Sequence, residues 1–244
     1  MFSYLASAMI KQGDLTGFTF FIGTMAMLAA TVFFFVERSS VSGKWKLSLT
    51  VSGLITGIAA VHYYYMRDVW AATGTSPTEF RYIDWILTVP LMCVEFYLLT
   101  KPFGAKGATL FKLIIASIVM LVFGYIGEIS GPGQTMMWGT ISTVGYLYIV
   151  YEVFAGDVAK LTKTSDSESL KSAMFLMKIF ITGGWAIYPI GYMTMDGNLL
   201  SSMSGTLDVW YNIADAINKI GFGLVVYSVA KAETEANAAK SAAA

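Results

Sequence analysis

Charge is what this chain has least of. Asp, Glu, Lys and Arg make up only 13% of its 244 residues, while 56% are hydrophobic, against roughly a quarter charged in an ordinary soluble domain. That balance excludes a conventional water-soluble fold and reads as a polytopic helical membrane protein. Cysteine is nearly absent. Cys93 stands alone inside an apolar segment, so there is no disulfide framework, and its plain reading is a small core hydrophobe. Histidine occurs once, as His62. Sixteen basic residues offset sixteen acidic ones, and a net charge of zero argues against nucleic acid as a partner. No metal-ligand cluster, phosphate loop or nucleophile–base triad is present in the pattern, which disfavours an enzyme in the strict sense.

Long apolar runs are plentiful. Stretches of about 20 residues, enough to cross a ~30 Å hydrocarbon layer, fall at roughly 17–36, 47–66, 80–99, 110–128, 135–155, 173–194 and 206–230. They predict an all-α bundle of seven membrane-spanning helices over residues 17–230. Residues 1–16 form a short outer segment without the charged start and full apolar stretch of a signal peptide, although Ala6-Ser7-Ala8 could be the remnant of a cleavage site. Residues 231–244 are small and polar and are expected to be a frayed tail. The longest polar connection, 156–172, joins the fifth and sixth spans.

Orientation follows from basic residues in the connections. Arg38, Lys44, Lys46, Lys101, Lys106, Lys112, Lys160, Lys163, Lys171, Lys231 and Lys240 collect on one side, against Lys11 and Arg67 on the other. The first side is predicted to be cytoplasmic, with the N-terminus outside and the C-terminus inside. Lys178 lies close enough to the cytoplasmic end of its span to snorkel. Arg81 and Lys219 need another account.

Those two belong to the third and seventh spans, where charge is expensive, roughly 2.5–3.5 kcal/mol per residue at mid-bilayer on insertion scales. Asp215 and Lys219 are four apart and share a helix face. They are either a buried structural ion pair or two groups meeting one ligand. In the third span, Arg81, Asp84, Thr88 and Glu95 also share a face, because eleven residues at 100° each return to within about 20° of the starting direction. Asp84 and Glu95 then stand ~16 Å apart along the membrane normal, too far for a shared carboxylate pair, with Lys219 at a depth between them. A central base flanked by carboxylates suits stepwise proton transfer. Asp84, beside cations, is expected to rest ionised, and Glu95, in apolar surroundings, to rest protonated.

The runs Arg81-Tyr82-Ile83-Asp84-Trp85-Ile86-Leu87-Thr88-Val89-Pro90, Trp185-Ala186-Ile187-Tyr188-Pro189 and Asp215-Ala216-Ile217-Asn218-Lys219 together resemble the microbial rhodopsins, nearest the proteorhodopsin branch. The resemblance runs from about residue 16 to 231. It implies that Lys219 carries all-trans retinal as a protonated Schiff base, with Asp84 as counterion and proton acceptor and Asp215 as second counterion. Asp84, Thr88 and Glu95 match the family's proton-pump triplet, with Glu95 as cytoplasmic donor, and the implied activity is light-driven outward proton pumping across a bacterial inner membrane. The implied retinal pocket is Trp85, Thr88, Met92, Trp185, Tyr188, Pro189 and Tyr192, with the apolar Met92 resembling the green-absorbing type.

His62 matches a family histidine that hydrogen-bonds the counterion. Two departures stand out. Phe21 occupies a place where relatives often carry a tryptophan reaching that histidine across an oligomer interface, so the family's ring of five or six copies is implied without that contact. Gly139 stands where many relatives carry a bulky aromatic; it reads either as close helix packing or as the window through which the xanthorhodopsin branch seats a carotenoid antenna. Rival readings are a sensory photoreceptor with the same chromophore, which often lacks a carboxylate at the position of Glu95, and a seven-helix receptor or transporter without retinal.

Overall fold

The computed structural model describes residues 10–131, 133–193 and 205–243, with the side chains of all of these except Pro189, Tyr192 and Met193. The expected cleavage remnant at Ala6–Ala8 lies outside the described residues. The regular elements are helical: α1 (Leu15–Glu37), α2 (Trp45–Thr73), α3 (Thr78–Thr100), α4 (Gly107–Ile129), α5 (Thr135–Phe154), α6 (Asp157–Thr164), α7 (Glu168–Ile179), a π-helical turn (Phe180–Gly184), α8 (Ile187–Met193) and α9 (Leu207–Ala243). Helix α7, the π turn and α8 follow one another along the sixth span, so all seven expected spans are helical. Five helices, α1 to α4 and α9, are each long and apolar enough to cross a membrane. Helix α5 has 20 residues but is diluted by Thr, Ser, Gly and Tyr.

Local chemistry sets the ends. The Asp14 carboxylate caps α1 by accepting from Gly17 N at 2.8 Å, and the same oxygen accepts from Trp70 Nε1 at 3.0 Å, tying the start of α1 to the end of α2. Helix α2 stops at Gly74, whose φ of 67° is the left-handed conformation that glycine adopts without strain. Helices α4 and α5 touch through Gly145: a Cβ there would lie 2.7 Å from Ala116 O and 2.8 Å from Met120 N, so only glycine permits the approach. Ser142 Oγ donates across the same contact to Met120 O at 2.6 Å.

The connection 156–172 and the tail are more regular than their polarity suggests. The connection 156–172 contains α6, whose first N–H, that of Asp157, donates to Glu152 Oε2 at 2.8 Å while Tyr148 OH donates to Oε1 at 2.9 Å. The tail expected to fray instead continues α9 to Ala243. Its Ala, Glu and Lys are strong helix formers with no Gly or Pro among them, and extending an existing helix needs no new nucleus. Its first turns are also held, since Glu233 Oε1 accepts from Ser167 Oγ at 2.5 Å and Ser169 Oγ at 2.8 Å, and Thr234 Oγ1 accepts from Ser42 N at 3.1 Å. Lys178 places its amine 5.0 Å above the Phe154 ring, a cation–π contact.

Candidate functional site

Helix α9 carries Asp208, Asn212, Asp215 and Lys219 at spacings of four, three and four, which aligns all of them on one face. That face meets the polar face of α3. Lys219 Nζ donates to Asp84 Oδ2 at 2.8 Å and also to Asp215 Oδ1, and the three side chains are between 0% and 2% exposed. Tyr188 OH donates to Asp215 Oδ1 at 3.2 Å. One cation is therefore shared by two carboxylates, and each carboxylate keeps an oxygen, Asp84 Oδ1 and Asp215 Oδ2, without a hydrogen-bond partner among the described residues. A pair kept only for stability would be badly served by such surplus buried charge.

Arg81, fully buried, does not face Asp84 as its own helix spacing suggested. Its Nη2 donates to Asp208 Oδ1 at 2.7 Å, both terminal nitrogens reach Asn212 Oδ1 at 3.2 Å, and the guanidinium lies 5.2 Å from the Tyr211 ring centre. Asp208 and Asn212 were missed in the sequence, although their spacing from Asp215 carries the signal. Thr88 Oγ1 turns back to Asp84 O at 2.9 Å, the usual behaviour of a helical threonine, so its hydroxyl bonds the backbone rather than the carboxylate.

His62 is beside Asp84 but not hydrogen-bonded to it. Its Nδ1 lies 3.8 Å from Asp84 Oδ1 and is instead 2.8 Å from Ile58 O, one turn back on its own helix. The nearer carbonyl takes the Nδ1–H.

Glu95, 0% exposed, occupies a different setting. Ser52 Oγ of α2 donates to Glu95 Oε1 at 2.9 Å, Oε2 has no partner, and the neighbouring Phe96 packs edge-on against Phe222 of α9 at 5.3 Å. Among the described residues no cation pairs with it. Ser52, too, was missed, since nothing in the spacing of α2 marks which neighbour it faces.

Trp85, Met92 and Trp185 are each 3% exposed or less. Trp85 meets Tyr188 at 4.6 Å and Tyr211 at 5.5 Å between ring centres, both edge to face. Both Trp85 and Tyr188 line a narrow cavity, whose far wall is supplied by α4 and α5 through Met120, Leu121, Gly124, Ser142, Thr143 and Tyr146. Gly139, buried on α5, accepts at its carbonyl from the cavity-lining Thr143 at 2.7 Å and so sits one turn from this wall. The side chains of Pro189 and Tyr192 lie outside the described residues. A buried amine with spare carboxylate oxygens beside it, next to an aromatic-lined space, fits an elongated apolar carbonyl compound joined to that amine and kept cationic there.

Comparison with known proteins agrees with this geometry. The family model for bacteriorhodopsin-like proteins matches residues 14–232. Green-light absorbing proteorhodopsin of Gamma-proteobacterium EBAC31A08 is 50% identical over 230 residues, covering 92% of this chain and 90% of that protein. Among solved structures, blue light-absorbing proteorhodopsin from Med12 aligns with a TM-score of 0.76 and 45% identity over 90% of this chain and 100% of that one. Xanthorhodopsin, described as a light-driven ion pump with dual chromophore, aligns with a TM-score of 0.81 and 31% identity over 92% of this chain and 95% of that one. The matched span contains both the carboxylates of α3 and the lysine of α9, and the chain belongs to the bacteriorhodopsin-like family.

Proposed function

We propose that this protein is a light-driven outward proton pump of the bacterial inner membrane, with Lys219 as the retinal attachment site. The observation that carries the reading is the contact of Lys219 Nζ with Asp84 Oδ2 at 2.8 Å, with Glu95 on the same face of α3 about three turns from Asp84. All-trans retinal joined to Lys219 Nζ would supply a light-driven isomerisation that re-aims the proton on that nitrogen. Everything else falls to the chain's own residues.

Asp84 Oδ2, within hydrogen-bond reach, accepts the proton from Nζ. The Tyr188 hydroxyl donates to Asp215, the second carboxylate on Nζ, and holds it in place. Glu95, ~16 Å from Asp84 along α3, then returns a proton to Nζ from the other side, across a gap that a reorientation or internal water must bridge. Ser52 orients the Glu95 carboxyl for that release. On the Asp84 side, Arg81 is fixed by Asp208 and Asn212 at the way out. Direction rests on the basic connections: the Glu95 end of α3 is the lysine-rich end, hence cytoplasmic.

Reconstitution with all-trans retinal tests this directly. The expected result is a visible band, with an absorption maximum in the green through the apolar Met92, and recovery after a flash fast enough for continuous turnover. Slow recovery would favour a sensory photoreceptor, and no band would favour a receptor without retinal. In this proposal Gly139 serves close packing; carotenoid bands in the excitation spectrum would instead establish an antenna. A homo-oligomer of five or six copies is read from the mass of the solubilised pigment.

A further inference from the structure

The sixth span changes register beside the lysine. Over Phe180–Gly184 the helix is a π turn, closed by Trp185 N donating to Phe180 O at 3.0 Å, and it delivers Trp185 into the core. Such turns are strained and recur at functional sites. Tyr146 OH of α5 donates to Ile181 O within it at 3.0 Å, bracing one side. The other side rests on α9 at two points. The Phe180 ring presses against Gly221, where an added Cβ would come within 2.7 Å of Phe180 Cε1, and Gly184 sits against the Asn218 side chain, where an added Cβ would come within 2.8 Å of Asn218 Nδ2. The first and last residues of the π turn therefore grip α9 on both sides of Lys219, one residue before it and two after.

Asn218 is 2% exposed, and among the described residues its Nδ2 has no hydrogen-bond partner. A buried amide left unsatisfied is costly, so its retention calls for a use. The turn of α9 that follows leads to Phe222, packed on the Phe96 neighbour of Glu95. The grip thus lies where a proton returning from Glu95 must arrive.

We propose that Asn218 is the positioning residue that couples the π turn to Lys219. Its side chain, packed against Gly184, fixes α9 next to the lysine, and its Nδ2–H is the donor offered to a backbone oxygen of the π turn when that turn shifts. This rests on the proposed function and goes beyond it, because it assigns the return of the proton to a contact between α9 and the π turn.

Flash spectroscopy on the retinal-loaded full chain tests it, following separately the loss of the proton from the Lys219 nitrogen and its return. Asn218→Ala should form the visible pigment, lose the proton at the parental rate, and regain it about tenfold more slowly, the size expected for one lost coupling contact. Gly184→Ala should slow the return as well, and should add little on the Asn218→Ala background, because the methyl group then meets no side chain. Should Asn218→Ala form no pigment, Asn218→Leu, which keeps the volume and lacks the donor, carries the test with the same slowed return. Parental return kinetics in whichever variant forms pigment, or fully additive effects of the two substitutions, would overturn the proposal. A parental protein without a visible band would overturn the functional reading itself and this inference with it.

Discussion

Asp84 and Glu95 are the same kind of acid on the same face of one helix, and their surroundings could hardly differ more. Asp84 meets the Lys219 amine at 2.8 Å and a histidine nitrogen at 3.8 Å, and shares the amine with Asp215. Glu95 meets serine hydroxyls of α2, with the Phe96–Phe222 ring pair next to it in sequence. A carboxylate beside a cation is suited to receive a proton, and a carboxyl buried without one to give it. In the proposed pump, acceptor and donor thus follow from neighbours on α2 and α9, not from the acids themselves.

The comparison breaks most completely at its hub. Lys219→Ala removes the attachment point and the cation together, and should abolish the visible band with added retinal; a retained band would end the assignment. Asp84→Asn should keep a pigment but stop forward transfer, so that light-driven pH changes vanish, because a neutral amide cannot accept the proton. Glu95→Gln should leave forward transfer intact and slow the return by about 100-fold or more, the usual worth of a positioned acid; unchanged return kinetics would remove Glu95 from the path. Ser52→Ala sharpens the contrast further. Losing one neutral hydrogen bond of about 1 kcal/mol should change the return rate by roughly fivefold, with no effect on the forward step.

The smallest effect lies outside the membrane. Lys112 donates to Asp157 at 3.1 Å and holds the Asp157 carboxyl below its ordinary range. A lowered value means that this contact supports the folded loop fully at neutral pH, fades as pH falls below the ordinary carboxylate range, and is gone once pH passes the lowered value. The pair is well exposed to water, so Asp157→Asn should leave the photocycle unaltered and shift thermal stability only slightly, and less at high salt.

What could be read in advance was what one helix can encode alone. The alignment of Asp84 with Glu95 and of Asp215 with Lys219 needs only helical spacing, and the cost of charge in a membrane makes those residues conspicuous. Partners on other helices were not legible. Ser52 facing Glu95, and Met120 and Ser142 walling the cavity, depend on how α2, α4 and α5 are rotated about their axes, which spacing within each helix leaves free. Arg81 was assigned toward Asp84 from its own helix, whereas Asp208 and Asn212 of α9 compete successfully for it. The His62 bond failed to form for a local reason, the nearer Ile58 carbonyl. The π turn had no signal beyond the Gly183-Gly184 pair, and the helical tail was misjudged because polarity was weighed above helix propensity.

The central claim is vectorial, so the most direct measurement is the light-induced pH change in an unbuffered suspension of cells expressing the protein with retinal, with and without a protonophore. The account predicts acidification of the medium that the protonophore abolishes. Alkalinisation that the protonophore enhances, or no signal from visibly coloured cells, would contradict it.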